Sequence, residues 1–92
     1  MAHYQLKLHK DAAKFLRSLP ARMRDRVRDK LDMLMDNPHD MQRLDVKPMV
    51  GENGLWRLRV GSIRLIYEVQ EHYLVIYVVT AGNRGDVYKK RG

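Results

Sequence analysis

Two runs of alternating residues flank a glycine–serine pair, LWRLRV before it and IRLIYEV after it, and they carry Arg57, Arg59 and Arg64. A guanidinium keeps its proton far above neutral pH, and its planar fork matches a phosphate or a carboxylate. The chemistry open to these three is to hold an anion, not to take a proton. Further on, TAGNRGDVYKKRG adds Arg84, Tyr88, Lys89 and Lys90. Tyr88 brings a titratable hydroxyl and a ring that can stack on a base. Cations gathered with one aromatic hydroxyl suit single-stranded RNA, the cations holding the backbone and the ring meeting a base.

Gly61-Ser62 is a two-residue hairpin turn with glycine first. Pairing the strands through it sets Val60 against Ile63, Leu58 against Leu65 and Trp56 against Tyr67, all on one face. Arg59 then opposes Arg64, and Arg57 opposes Ile66, on the other face. Two like charges about 5 Å apart repel by roughly 3 kcal/mol at an effective dielectric near 20, less where long side chains splay into water. The arrangement therefore points to a compensating anion, for which phosphate is suited; the plain alternative is a solvated outer face with splayed arginines.

The elements that must position these groups follow from periodicity. HYQLKLH alternates and reads as a first strand. Asp11 is placed to open a helix with Ala12, Phe15, Leu16 and Leu19 on its apolar side. Pro20 separates it from a longer helix striped by Met23, Val27, Leu31 and Leu34, with Arg28–Asp32, Arg22–Asp25 and Arg26–Asp29 spaced as charge pairs on its exposed sides. Asn37-Pro38 ends it. Residues 39–54 form an unusually long connector with room for a short helical turn. Strands follow over about 55–60, 63–70 and 73–80. The predicted fold is α+β in the order β-α-α-β-β-β, two helices packed on one face of an antiparallel sheet, with residues 1–92 as a single domain. A turn at 71–72 would set Arg64 opposite Val79, with Arg84 just past the end of the last strand.

Eighteen lysines and arginines against eleven acids give a net charge of +7, and the acids are concentrated before residue 50. That balance favours a polyanionic partner. There is no cysteine, and the four histidines have no spacing that would hold a metal, so no metal or cofactor is expected. No apolar run is long enough to span a membrane. The amino terminus, MAHYQLKLHK, has no secretory core, so a cytoplasmic location is expected.

The stretches LRVGSIRLIYEV and VVTAGNRGDVYKK, with NP after the second helix, resemble the RelE-type toxins of the RelE/ParE toxin–antitoxin superfamily over nearly the whole chain. The resemblance implies the β-α-α-β-β-β plan, a ribosome-dependent endoribonuclease that cuts mRNA in the decoding site, and a cognate antitoxin. Its implied partners are thus the antitoxin, the ribosome with its rRNA, and mRNA. It implies metal-independent attack by the RNA's own 2′-hydroxyl, leaving a 2′,3′-cyclic phosphate. The family's site residues fall on Arg57, Arg59, Arg64, Arg84 and Tyr88, followed by Lys89 and Lys90. The best-known members carry lysines where this chain has Arg57 and Arg59. Arginine cannot serve as the base, which leaves Tyr88, whose pKa nearby guanidinium groups would lower.

Arg84-Gly85-Asp86 spells an adhesion tripeptide but reads better as a turn. His3, His9, His39 and His72 are scattered, and His72 at a strand turn is the one with any catalytic prospect. Glu68 is the acid on the arginine face, placed to orient Arg59 or Arg64. Two competing functions stand beside the nuclease: a ParE-like inhibitor of DNA gyrase on the same scaffold, and an RNA-binding module without catalysis.

Overall fold

Alternation and helical spacing become the predicted elements, with two additions. The computed structural model describes residues 3–51 and 54–83. Strand β1 (Gln5–Leu8) is followed by α1 (Lys10–Arg17) and α2 (Ala21–Asp36). After a connector come β2 (Val46–Pro48), β3 (Leu55–Val60), β4 (Ile63–Gln70) and β5 (Val75–Asn83). His9 rather than Asp11 caps α1, its Nδ1 accepting from the Asp11 backbone N–H at 3.1 Å. Asp11 sits inside the first turn, where its charge meets the positive end of the helix dipole. Pro20 precedes α2, and Asn37 ends it in an extended conformation.

The sheet order is β1-β5-β4-β3-β2. Its pairings are antiparallel except β1 with β5, which is parallel, a departure from the wholly antiparallel expectation. The chain leaves the sheet at one edge and re-enters at the other. Five strands are roughly 19 Å across at 4.8 Å per step, and the 16 residues of α2 rise about 24 Å. That span accounts for both the long helix and the long connector. Within the connector the Leu44 N–H bonds to the Asp40 carbonyl at 2.9 Å, closing one turn. Asp40 also accepts from the Arg43 Nε at 2.7 Å, which holds its carboxyl below the usual range. The edge strand β2 then follows, an element too short and too close to Pro48 to be read from alternation.

The β4–β5 connection is longer than the predicted two-residue turn. A 3₁₀ turn over Glu71–Tyr73 and a left-handed Leu74 carry it. The extra length brings the loop to the start of β1, where Tyr4 Oη donates to Glu71 Oε2 at 2.8 Å and the Gln5 N–H to the Leu74 carbonyl at 2.8 Å. A bulge then falls between Ile66 and Tyr67, whose partners are Thr80 and Val78. Arg64 is consequently paired with Gly82, not Val79.

One side of the sheet packs on both helices. Leu58, Leu65, Tyr67, Ile76 and Val78 meet Ala12, Leu16, Val27, Leu31 and Leu34 in one buried cluster. Tyr67 is fully buried and its hydroxyl donates to the Pro38 carbonyl at 2.6 Å, tying the end of α2 to the central strand. Burial pushes its phenol pKa far above the ordinary value. Trp56 leans on the same core with its ring 4.5 Å from that of His39. The three predicted charge pairs along α2 are not among the ion pairs of the described residues. Among those residues no helix is long and apolar enough to cross a membrane.

Candidate nucleic-acid interface

The face of the sheet turned away from the helices carries the arginines, because the β3–β4 register is the one the Gly61-Ser62 turn dictates. Arg59 pairs with Arg64, Arg57 with Ile66, Leu58 with Leu65 and Trp56 with Tyr67. Gly61 takes a positive φ of 60°, a conformation glycine adopts without strain. The edge strand extends the cationic rows, since Lys47 pairs with Arg57. On the inner side Gly82 stands opposite Arg64 and adds no side chain to the row.

The like-charge problem has an answer inside the chain. Asp45, the residue just before β2, lies between Arg57 and Arg59. Its Oδ1 accepts from Arg57 Nη2 at 3.0 Å and its Oδ2 from Arg59 Nε at 2.6 Å. The Arg59 backbone N–H also donates to the Asp45 carbonyl at 2.9 Å. The expectation that these two arginines await an external anion is thereby corrected: their first counter-ion is a carboxylate twelve and fourteen residues upstream. Nothing in the local pattern announces such a contact.

The three arginines differ in what they offer. The Arg59 side chain is 50% exposed, that of Arg57 only 14%. Arg64 is 7% exposed, the buried charged residue among those described, and its Nη1 donates to the Gly61 carbonyl at 3.3 Å. Ile66 beside it is fully buried, so this face is not the uniformly solvated surface of the plain alternative. A further cation reaches the rim. Arg26 of α2, expected to pair with Asp29, lays its guanidinium over the hairpin turn, Nη1 lying 3.7 Å from where a side chain on Gly61 would begin. Asp45, Lys47 and Arg26 are the members of this neighbourhood that sequence reasoning missed.

Arg84, Tyr88, Lys89 and Lys90 lie outside the described residues. The strand that leads to them ends with Gly82 and Asn83 beside Arg64 and Ile63. Glu68 Oε1 accepts from Gln70 Nε2 at 2.8 Å, and the residue pairs with Leu55 and Tyr77. His72 is exposed in the turn at the opposite end of β4 from Arg64, too far along the strand to share its chemistry. On the helical side a separate groove of about 260 Å³ runs between β1 and the helices, floored by Leu6, Leu8, Leu16, Val27 and Leu31.

A cationic face of this kind can grip a sugar–phosphate backbone and stabilise charge on a phosphorus centre. Comparison with known proteins bears on which one. Residues 6–88 match the family model described as the ParE toxin of the type II toxin–antitoxin system parDE. A candidate RelE-like toxin of Escherichia coli is 33% identical over 89 residues, covering 92% of this chain and 90% of its own. A candidate RelE toxin of Methanocaldococcus jannaschii is 26% identical over 86 residues, covering 94% and 96%. Among solved structures, the RelE–RelB complex of Pyrococcus horikoshii superposes with a TM-score of 0.80 at 33% identity, over 94% of this chain and 99% of that one.

Proposed function

From the premise that the chain belongs to the RelE/ParE superfamily of type II toxins, we propose that it is a ribosome-dependent endoribonuclease that cuts mRNA in the decoding site. The observation that carries this reading is the shared face of Arg57, Arg59 and Arg64 on β3 and β4. In the proposed reaction the 2′-oxygen of one nucleotide attacks the adjacent phosphorus. The P–O5′ bond breaks, leaving a 2′,3′-cyclic phosphate on one fragment and a 5′-hydroxyl on the other. The 2′-hydroxyl proton must go to a base and the departing 5′-oxygen must gain one. Arg59 and Arg64 stay protonated and offset the charge that builds on the phosphorane oxygens. Tyr88, as phenolate, takes the 2′-hydroxyl proton and stacks on a base, Arg84 offsets charge on the leaving 5′-oxygen as it takes a proton from water, and Lys89 and Lys90 hold the flanking backbone. A site so poor in bases depends on something else to fix the RNA in line, and the ribosome supplies that orientation.

The cognate partner in this reading is an antitoxin, by analogy with the RelE–RelB complex, and the apolar groove on the helical side is the surface left free for it. The matching family model, described as a ParE toxin, favours a second reading in which the protein inhibits DNA gyrase by binding it. One pair of assays separates the two. Incubation with translating ribosomes yields codon-positioned mRNA cuts if the nuclease reading holds. Loss of gyrase supercoiling with intact mRNA supports the second. RNA binding with neither effect supports a non-catalytic module.

A further inference from the structure

Asp45 holds its two arginines in different ways. It grips Arg59 by Nε at 2.6 Å, which leaves both terminal amino groups of a half-exposed guanidinium without a partner among the described residues. It grips Arg57 by a terminal nitrogen, Nη2, at 3.0 Å. The Nε of Arg57 is buried and has no hydrogen-bond partner among the described residues. The two cations are therefore not equivalent to a phosphate approaching the outer face. Arg59 presents a two-pronged end, whereas one terminal nitrogen of Arg57, whose side chain is only 14% exposed, is already turned into a carboxylate. The backbone bond from Arg59 N–H to the Asp45 carbonyl and the closed turn over 40–44 fix the carboxylate where it stands.

We propose that Asp45 is a positioning residue of the RNA site. It keeps Arg57 off the substrate as a half-buried, already paired cation and aims the Arg59 fork at the scissile phosphate. The proposal rests on the RNA-cleaving reading and assigns a role within it that a row of equivalent arginines would lack. A substrate phosphate then meets one free fork on β3, not two.

Asp45→Asn keeps the shape and removes the charge. The test measures binding of the full chain to a mixed-sequence single-stranded oligoribonucleotide across a series of salt concentrations, and single-turnover cutting on mRNA-programmed ribosomes. Release of Arg57 adds one phosphate contact, so the slope of log K against log salt steepens by about 0.7 in Asp45→Asn. It returns to the wild-type slope in the double variant Asp45→Asn/Arg57→Met. The cutting rate at saturating ribosomes falls roughly tenfold to a hundredfold as Arg59 loses its aim, with no rise in KM, and Asp45→Glu recovers part of the rate. A slope and a cutting rate both unchanged in Asp45→Asn overturn the proposal, as does a faster rate, which would make the carboxylate a competitor of the substrate. Wild-type protein that binds the oligoribonucleotide but leaves the mRNA on programmed ribosomes uncut overturns the nuclease reading instead, and the slope still decides how Arg57 is held. A thermal melt of each variant confirms that the chain is folded.

Discussion

Replacing Tyr67 with Phe tests how the connector that carries Asp45 is anchored. The ring stays and only the hydroxyl is lost. That hydroxyl donates to the Pro38 carbonyl at 2.6 Å in a fully buried position, so the variant leaves a carbonyl without its partner. A net loss of about 1.5 kcal/mol follows for such a bond, within a range of roughly 1–3 kcal/mol. For a chain of 92 residues the unfolding entropy is about 0.19 kcal/mol/K, so the melting temperature drops by roughly 8 °C. The pH dependence is more discriminating. Burial raises the folded phenol pKa far above the unfolded value of 10.0. The contribution is therefore intact below about pH 10 and lost as pH climbs toward the folded value. By about pH 11 the unfolded wild type gains roughly 1.4 kcal/mol from ionising this one phenol, and the variant gains nothing from it. Urea unfolding of both proteins at neutral pH and near pH 11 should show the gap at neutral pH nearly closed at high pH. Every other side chain is common to both proteins, so its contribution cancels in the gap. A gap that stays constant, or a neutral-pH loss below about 0.5 kcal/mol, refutes the reasoning.

Leu34→Ala removes a fully buried side chain from the inner face of α2 and should cost about 2–5 kcal/mol in denaturant unfolding. Gly61→Ala meets the ends of Arg26 and Met23 at ordinary contact distance but places a Cβ at a φ of 60°, so about 1 kcal/mol of stability should be lost, with the hairpin register retained in amide-exchange maps. Arg59→Ala removes the half-exposed cation of the outer face and should lower the salt slope of RNA binding by about 0.7, which a set of filter-binding titrations reads directly.

Much of this fold was readable because the governing signals are local. The Gly61-Ser62 turn settles the β3–β4 register, and with it the face shared by Arg57, Arg59 and Arg64. The stripe of Val27, Leu31 and Leu34 does point to the core. What could not be read depends on distant partners. Strand β2 has three residues and ends in a proline, so it exists only because β3 offers it an edge. The bulge beside Tyr67 and the lengthened Glu71–Leu74 connection answer to the approach of β1, remote in sequence. Asp45 is the clearest case. Like-charge repulsion correctly demanded an anion, but the rule that identified the need is silent on whether a substrate or the chain itself supplies it. Of the candidate site, the β3–β4 part is placed by backbone pairing, while Arg84, Tyr88, Lys89 and Lys90 fall outside the described residues and stand on the sequence and the resemblance.

The direct test of the central claim is primer extension on an mRNA under translation, with wild-type protein and with Arg64→Ala, whose fold is checked by its far-ultraviolet spectrum and cooperative melt. The account predicts cuts in register with codons by the wild type, fragments ending in a 2′,3′-cyclic phosphate, and loss of those cuts in the folded variant. Intact mRNA with the wild type, or undiminished cutting by Arg64→Ala, would contradict it.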